Sequence, residues 1–520
     1  VSEKNELSRQ ITWQVESGIL DSFRVYKVLF TNNSQDTLTL RNIFPYGRRV
    51  SEVYITGKGE HGLSRTHLFL KDRLPVNVIC PDNAWELGFG YRKESTGTVV
   101  AAFSRRDVAS ITKGARRRFE TILYPGGSVR YTIWEKEMQG EWQDALRVFL
   151  HDRKLFDLAS FDNTMFERKD LQWIRHSYVM HLVMAWDKFF YDYTDKRFHF
   201  TEFIERGKKL YGGDEVIGLW PTWPSLGLDP RNQFDLFRDL PGGTAGLKKT
   251  AADMRKKGTK FFICYNPWDE STRQEGHLQG LQHLLKETDA DGIVLDTRGS
   301  SSKELQDAAD QIRTGVVMYS EGMAIPKDMP GIVSGRVHNA LYYPPMLNLN
   351  KLIKPDFAIF RVAELYKEPI RREFATSFFN GYGTELNIFG PGQPDWVEDQ
   401  YRYLGRTSRI LRENTLNFTV GNITPLIPVE RDSIWVNRWE RGRKTLYTIY
   451  SIIPSGFKDL LIETVNDDRY HYVDIWHHKM LQPQNRNGRW MIEAEASSFD
   501  AKDLGTNNEG QVDAIARFPR

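Results

Sequence analysis

Several absences narrow the functional classes open to this chain of 520 residues. It has only two cysteines, Cys80 and Cys264, far apart and each in an apolar setting, so we expect buried free thiols rather than a disulfide framework. No apolar run approaches the roughly 18 residues of a membrane-spanning helix. The 71 basic and 68 acidic residues nearly cancel, and this balance indicates no nucleic-acid partner.

Motifs of the common catalytic classes are also missing. The chain has no His-Glu-x-x-His, no Gly-x-Ser-x-Gly and no P-loop, and Gly381-Tyr-Gly-Thr does not have the context of a dinucleotide fingerprint. Asp289-Ala-Asp-Gly resembles part of a Ca²⁺-binding loop but lacks the distal Glu. We therefore expect no cofactor and no catalytic metal, while a structural Ca²⁺ stays an open question.

Aromatic residues are the abundant class, with 14 Trp, 22 Tyr and 30 Phe. Such residues stiffen a large core, which is one interpretation. They also line sugar clefts, because the C–H faces of pyranose rings pack on aromatic rings. Composition alone leaves both interpretations open.

The first 145 residues and the last 97 have strand-like patterns. Period-two alternation at 23–30 and 128–134, broken by turn residues, predicts an N-terminal antiparallel β-sandwich over 1–145. Residues 141–151 switch to a helical period and are interpreted as a linker helix. After residue 424 the β pattern returns, and we predict a smaller C-terminal antiparallel β-sandwich over 424–520.

Between them, residues 146–423 alternate strand and helix. Predicted strands at 178–186, 215–223 and 260–268 are interleaved with predicted helices at 247–258 and 278–286. Residues 332–343 and 378–389 are candidate strands of the closing half. Alternation over this length predicts a closed (β/α)8 TIM barrel.

The most informative segment of the barrel carries two acidic residues. Asp289-Ala-Asp-Gly-Ile-Val-Leu-Asp296 and Gly315-Val-Val-Met-Tyr-Ser-Glu321 are apolar runs that end in an acid, and an amphipathic helix is predicted between them at 303–313. A right-handed βαβ unit places its two strands side by side, so both carboxylates would emerge at the same C-terminal edge. In a barrel, that edge holds the active site.

Two carboxylates at one barrel edge suit glycosidic bond cleavage. Arg298, two residues after Asp296, would help to keep the pKa of that carboxyl low, and an apolar, aromatic setting would favour a proton on Glu321. The alternative is that both acids only cap helices or solubilise loops. A non-catalytic carbohydrate-binding or scaffold protein on a degenerate barrel is the rival functional class.

The three-part organisation, the segment Gly292-Ile-Val-Leu-Asp296 and the linker Gly140-Glu-Trp-Gln-Asp-Ala together resemble the retaining α-glycoside hydrolases of the α-amylase, α-galactosidase and endo-α-N-acetylgalactosaminidase groups. The resemblance implies an α linkage, an oligosaccharide or glycan substrate, Asp296 as nucleophile on strand four and Glu321 as acid/base on strand five. Two features depart from amylases: Val294 stands where they carry Arg, and a His-Asp pair is replaced by Val337-His338-Asn339.

Further residues are expected at the ends of other barrel strands, where they would bind sugar. They are Trp186 and Asp187 (strand one), Trp220 and Trp223 (strand two), Tyr265, Asn266 and Trp268 (strand three), Arg298 (after strand four), His338 and Asn339 (near strand six), and Tyr382 and Glu385 (near strand seven). The aromatic ones are equally typical of core packing, and Asp187 of a loop cap. The start at Val1 is typical of a chain from which a signal peptide or a tag has been removed, and with the first of these we expect a periplasmic or extracellular location; the pattern indicates no oligomeric state.

Overall fold

The computed structural model describes residues 7–41, 43, 53–56, 67–79, 89–93, 96–117, 120–151, 161–221, 230–266, 269, 275–296, 298, 303–322, 328–337, 346–365, 368–388 and 394–520. The chain divides into two compact units. The first comprises Val1–Ser160 with Met346–Ile353, and the second comprises Phe161–Pro345 with Lys354–Arg520. No helix within the described ranges is both long and apolar enough to cross a membrane.

The first unit is mainly antiparallel β structure. Its elements are α1 (Leu7–Gln10), β1 (Ile11–Leu20), β2 (Phe23–Asn32), β3 (Leu38–Arg41), β4 (Val53–Thr56), β5 (His67–Leu70), β6 (Val76–Ile79), β7 (Phe89–Lys93), β8 (Thr98–Arg116), β9 (Glu120–Gln139) and α2 (Trp142–His151). One sheet has the order β1-β2-β9-β8-β7, with β3 also paired to β9. In the other sheet, residues 346–348 pair in parallel with β6, beside β5 and β4.

The second unit contains the barrel. Its helices and strands up to residue 419 are α3 (Thr164–Glu167), β10 (Val179–Met184), β11 (Tyr191–Asp192), β12 (Arg197–Phe198), α4 (Phe200–Tyr211), β13 (Val216–Trp220), α5 (Gln233–Arg238), α6 (Gly243–Lys256), β14 (Lys260–Tyr265), α7 (His277–Thr288), β15 (Gly292–Leu295), α8 (Lys303–Asp310), β16 (Val317–Ser320), β17 (Ser334–Val337), β19 (Ala358–Glu364), α9 (Arg371–Phe379), β20 (Gly383–Ile388), α10 (Val397–Glu413) and α11 (Thr415–Thr419). Between β17 and β19 the chain forms β18 (Met346–Asn348), which is a strand of the first unit.

Eight of these strands form a closed parallel barrel in the order β10, β13, β14, β15, β16, β17, β19 and β20, hereafter barrel strands one to eight. The predicted closed barrel is therefore confirmed. Barrel strands two and three are apolar on both faces, as expected where helices cover the outside and side chains fill the inside.

One prediction for the closing half is wrong, and one strand of that half was missed. Residues 378–389 are not one strand, because Phe378 and Phe379 end helix α9 and barrel strand eight begins only at Gly383. Barrel strand seven is β19, which the sequence pattern did not predict. Its apolar run is interrupted by Arg361, a fully buried residue that forms an ion pair with Glu373 of α9.

The chain ends in antiparallel sheets. Their strands are β21 (Asn422–Thr424), β22 (Ile434–Arg441), β23 (Lys444–Ser451), β24 (Phe457–Thr464), β25 (Tyr470–Asp474), β26 (Lys479–Leu481), β27 (Gln484–Arg486), β28 (Arg489–Ala496) and β29 (Gln511–Pro519). One sheet has the order β21-β22-β23-β29-β25-β26 and the other β24-β28-β27. Residues of both sheets share one hydrophobic cluster. Antiparallel structure at both ends is thus confirmed, while the sandwich arrangement stays a prediction.

Candidate active site at the barrel edge

Asp296 and Glu321 lie at matching positions on neighbouring barrel strands. Strands four and five pair in parallel up to Leu295 and Ser320, and the two acids are the next residue on each strand. The backbone N–H of Glu321 donates to Leu295 O at 3.1 Å, so the ladder continues to this position. The predicted parallel pairing of these strands is confirmed, and both acids follow the C-terminal ends of their strands.

Both acidic side chains belong to the row that faces the barrel interior. Residues two apart on a strand share a face. Tyr319 of strand five reaches across the barrel to Glu385, so Glu321, two residues on, is on the same inner face. A Cβ on Gly218 would meet Val294 of strand four, which places Val294, and hence Asp296, on the inner face as well.

Asp296 is nearly buried, with 7% of its surface exposed. Its backbone N–H donates to Tyr265 O at 2.9 Å. The thiol of Cys264 lies below it on strand three, and its pKa is raised well above the usual value by burial and, to a smaller extent, by the charge of Asp296. The guanidinium of Arg298 pairs with Glu304 at 3.1 Å, so its expected effect on Asp296 stays a prediction.

Glu321 belongs to a buried ionic network. Its Oε1 lies 2.6 Å from Nη2 of Arg336, whose Nη1 donates to Glu385 Oε1 at 2.8 Å. The other oxygen of Glu385 accepts a hydrogen bond from the hydroxyl of Tyr319, whose pKa is raised well above the usual value because the phenol is buried. A single guanidinium therefore bridges two carboxylates on barrel strands five and eight.

This network corrects two expectations. The apolar, aromatic setting predicted for Glu321 is wrong, because its carboxylate is in contact with a cation. Glu385 lies on strand eight rather than strand seven, and it is fully buried with both oxygens bound by protein donors. Arg336 and Tyr319 each hold one oxygen of Glu385, and a contact between this carboxylate and a sugar stays a prediction.

Tyr382 and Tyr265 are further corrections. Tyr382 precedes strand eight, so it lies at the N-terminal end of the barrel, opposite the edge that carries the acids, and it is buried. Tyr265 alternates with the inward-facing Cys264 and points outward, where its hydroxyl is hydrogen-bonded to the ring of His277 at the start of α7. Neither side chain faces the predicted cleft.

The loop after barrel strand one presents Trp186 and Asp187. Trp186 is 46% exposed; its ring packs edge-on against Tyr191 at 5.1 Å, and its carbonyl accepts from the hydroxyl of Tyr193 at 2.5 Å. Asp187 accepts from the N–H of Phe189 at 2.7 Å, which is the loop-capping alternative, and burial raises the pKa of its carboxyl.

Strands two and three bring Trp220 and Asn266 to the same edge. Trp220 is the last residue of strand two and is only 5% exposed. Asn266 follows strand three and is buried; its backbone N–H donates to Gln233 Oε1 at 2.7 Å, and its carbonyl accepts from Gln233 Nε2 at 2.8 Å. The predicted residues Trp223, Trp268, His338 and Asn339 lie outside the described residues.

Sequence reasoning missed Arg336, Tyr319 and Asn387, all inside the barrel. Arg336 had a detectable signal, since a lone arginine in the short strand Ser334–Val337 must find a partner if the strand is buried. Asn387 had the same signal in Gly383–Ile388, where it follows Glu385 by two residues and therefore shares its inward face. The Tyr319 hydroxyl had no signal distinguishing it from ordinary aromatic packing.

Two groups of described side chains each contain three possible metal ligands. The first is Asp192, Asp195 and His199, and the second is Asp474, His477 and Asp513. Neither group includes Asp296 or Glu321. In the second group, His477 Nδ1 is hydrogen-bonded to Asp474 at 2.8 Å, and Lys479 is 3.7 Å from the same carboxylate. His477 and Lys479 already balance the negative charge of Asp474, so ion pairing accounts for this cluster.

No family model and no curated protein matches the chain. Similar solved structures include an α-amylase from Geobacillus thermoleovorans complexed with acarbose (12% identity, covering 66% of this chain and 98% of that one, TM-score 0.43). A cyclomaltodextrinase has 11% identity, covers 82% and 99%, and has a TM-score of 0.49. An α-galactosidase from Geobacillus stearothermophilus in complex with 1-deoxygalactonojirimycin has 9% identity, covers 98% and 82%, and has a TM-score of 0.46. Identities and scores this low carry no information on activity.

Proposed function

We propose that this protein is a glycoside hydrolase that cleaves an α-glycosidic bond with retention of configuration. Asp296 is the nucleophile and Glu321 the acid/base. The observation that carries the proposal is the matched register of the two acids on adjacent strands at the C-terminal edge of the barrel. The α linkage and the oligosaccharide or glycan substrate come from the sequence resemblance alone.

The register favours retention over inversion. Neighbouring strands lie about 4.8 Å apart. Retaining enzymes hold their carboxyl groups about 5–5.5 Å apart, whereas inverting enzymes need roughly 6.5–9.5 Å to admit a water molecule. Side chains that leave adjacent strands from the same position and face are suited to the shorter separation.

The two steps use the acids in turn. Asp296 attacks the anomeric carbon while Glu321 gives its proton to the departing glycosidic oxygen, which leaves a glycosyl ester on Asp296. Glu321 then takes a proton from water, the water oxygen attacks the anomeric carbon, and Asp296 leaves. Two inversions at that carbon restore the starting configuration.

The network around Arg336 links the proposed acid/base Glu321 to the buried Glu385. Arg336 carries one positive charge and contacts two carboxylates, so it compensates only one of them. Glu385 is the more deeply buried partner and has a second donor in Tyr319.

Azide rescue tests the assignment. Asp296→Ala is expected to abolish turnover of all glycosides, because no ester can form. Glu321→Ala is expected to spare dinitrophenyl glycosides, whose leaving group needs no proton, while slowing natural substrates about 10²–10⁴-fold. Azide should accelerate Glu321→Ala and give a glycosyl azide of retained configuration.

Asp307→Asn serves as the matched control, because this exposed acid of α8 lies in the same βαβ unit and pairs with Lys303 on the surface. It should keep full activity. Near-normal hydrolysis of a natural glycoside by Glu321→Ala would refute the acid/base role, and an inverted product from the native protein would make Asp296 a general base.

A carbohydrate-binding protein without turnover is the second candidate. The ion pair between Glu321 and Arg336 favours it, because a carboxylate held by a cation is a poor proton donor. Sugar binding combined with no cleavage of any dinitrophenyl glycoside would select this alternative.

A further inference from the structure

Two polar atoms inside the barrel lack a partner among the described residues. They are the indole Nε1 of Trp220 and the amide Oδ1 of Asn387. Trp220 is 5% exposed and Asn387 is 2% exposed, so bulk water does not satisfy them. Buried polar groups in folded proteins are almost always hydrogen-bonded, and an orphan of this kind calls for an explanation.

Both atoms belong to side chains that face the barrel interior near its C-terminal edge. Trp220 follows Gly218 by two residues, and a Cβ on Gly218 would meet Val294 across the barrel. Asn387 follows Glu385 by two residues, and Glu385 reaches inward to Arg336. Trp220 is thus the inward-facing residue that follows Gly218, and Asn387 the one that follows Glu385, in the direction of the edge that carries Asp296 and Glu321.

The two orphans flank barrel strand one on either side. Trp220 pairs in register with Met184, and Asn387 pairs with Leu182. Strands eight, one and two lie across the closed barrel from strands four and five, which carry the acids. Active sites of (β/α)8 barrels lie at the C-terminal face, so a single sugar ring bound there could touch both sides.

We propose that Trp220 and Asn387 bind hydroxyl groups of the sugar ring whose anomeric carbon lies at Asp296. Trp220 donates to one hydroxyl oxygen, and Asn387 accepts from another hydroxyl. The inference rests on the proposed function for the position of the ring. The hydroxyls on the side of the ring away from the scissile bond then contact strands two and eight. Trp220 and Asn387 thereby determine which sugar is accepted.

The test compares variants on 4-nitrophenyl α-glycosides of galactose, glucose and N-acetylgalactosamine and on their monodeoxy analogues. Asn387→Leu removes the acceptor at nearly constant volume and should lower kcat/KM on the preferred glycoside about 3- to 10-fold. The loss should disappear for the one deoxy analogue that lacks the partner hydroxyl. Trp220→Phe should no longer distinguish the parent glycoside from a different deoxy analogue, the one that lacks the hydroxyl bound by the indole.

Thermal unfolding separates this role from a structural one. Replacing an unsatisfied buried polar atom by an apolar group does not break a protein hydrogen bond, so Asn387→Leu should leave Tm unchanged or raise it. Tyr403→Phe is the matched control, because its buried hydroxyl on α10 also lacks a partner among the described residues. It should change neither kcat/KM nor deoxy-sugar discrimination.

The outcomes also separate this inference from the proposed function. If glycosides are cleaved and Asn387→Leu and Trp220→Phe show native discrimination among the deoxy analogues, the inference is overturned and the function stands. If no glycoside is cleaved, free galactose, glucose and N-acetylgalactosamine are each added to the protein and thermal unfolding is measured. A rise in Tm for the native protein that Asn387→Leu lacks supports the binding role without catalysis. No rise in the native protein overturns it.

Discussion

Arg336 and Glu321 stand side by side on barrel strands six and five, joined by a 2.6 Å contact between Nη2 and Oε1. The same guanidinium contacts Glu385 at 2.8 Å. The proposed proton donor is therefore tied, through one buried cation, to a carboxylate that has no exposure to solvent.

Loss of Arg336 should destabilise the barrel as well as slow catalysis. Arg336→Met leaves Glu385 buried without its counter-ion, and breaking a buried pair in this way costs about 3–5 kcal/mol in the free energy of unfolding. Urea denaturation measures this cost. Arg336→Met with Glu385→Gln in the same chain should recover most of the stability, because the uncompensated charge is gone. Equal losses in the single and double variants would contradict the network.

The C-terminal sheets should lose stability in mild alkali. The pKa of His477 is raised to about 9, mainly by its hydrogen bond to Asp474 and also by Asp513. Since the folded value exceeds the unfolded value of about 6.5, the protonated ring stabilises the fold fully below pH 6.5, and this contribution disappears as the pH rises to about 9. Tm is therefore expected to fall between pH 7 and pH 9.

The neighbouring acids do not change this sign. Burial raises the pKa of Asp513 to about 6, so its own contribution falls between roughly pH 4 and 6 and is constant above. His477→Gln should flatten the slope of Tm above pH 7. His471→Gln, on the same sheet but packed against Phe518, should keep the native slope, and an unchanged slope in His477→Gln would contradict the assignment.

Replacing Gly381 by alanine should lower the free energy of unfolding more than the same replacement at a glycine of similar backbone conformation. It connects α9 to barrel strand eight with a φ of +65°, and a Cβ there would clash with the ring of Phe418. Left-handed conformation costs a side chain about 1–2 kcal/mol, and overpacking adds about 1–3 kcal/mol. Gly442→Ala is the control, because its φ is +54° with nothing within 4 Å of the new Cβ. Equal losses in the two unfolding free energies would rule out the clash.

Hydrophobic runs predicted the barrel where they were uninterrupted. Strands four and five were located from the sequence because each is an apolar run ending in an acid. Strand seven was missed because the buried Arg361 breaks its run, and only the fold supplies Glu373 as its partner. The strand count after that point was consequently one too low, which misplaced Tyr382 and Glu385.

The inward or outward direction of individual side chains was harder to predict than the strands. A residue at a strand end faces the cleft or the helices according to whether its position in the pleat is odd or even. Cys264 faces inward, so Tyr265 cannot. In strands that are buried on both faces, apolar residues do not alternate with polar ones. The sequence therefore does not indicate which positions face inward and which face outward.

Residues 346–348 have a consequence for the order in which the chain acquires its structure. They complete a sheet of the first unit by pairing with β6, although about 270 residues separate them from it. At synthesis rates of about 5–20 residues per second, this edge of β6 waits roughly 15–50 s for its partner. During that interval the emerging protein offers a free strand edge, which is a template for wrong pairing between nascent chains. A chaperone that covers β6 would have its greatest effect in that window.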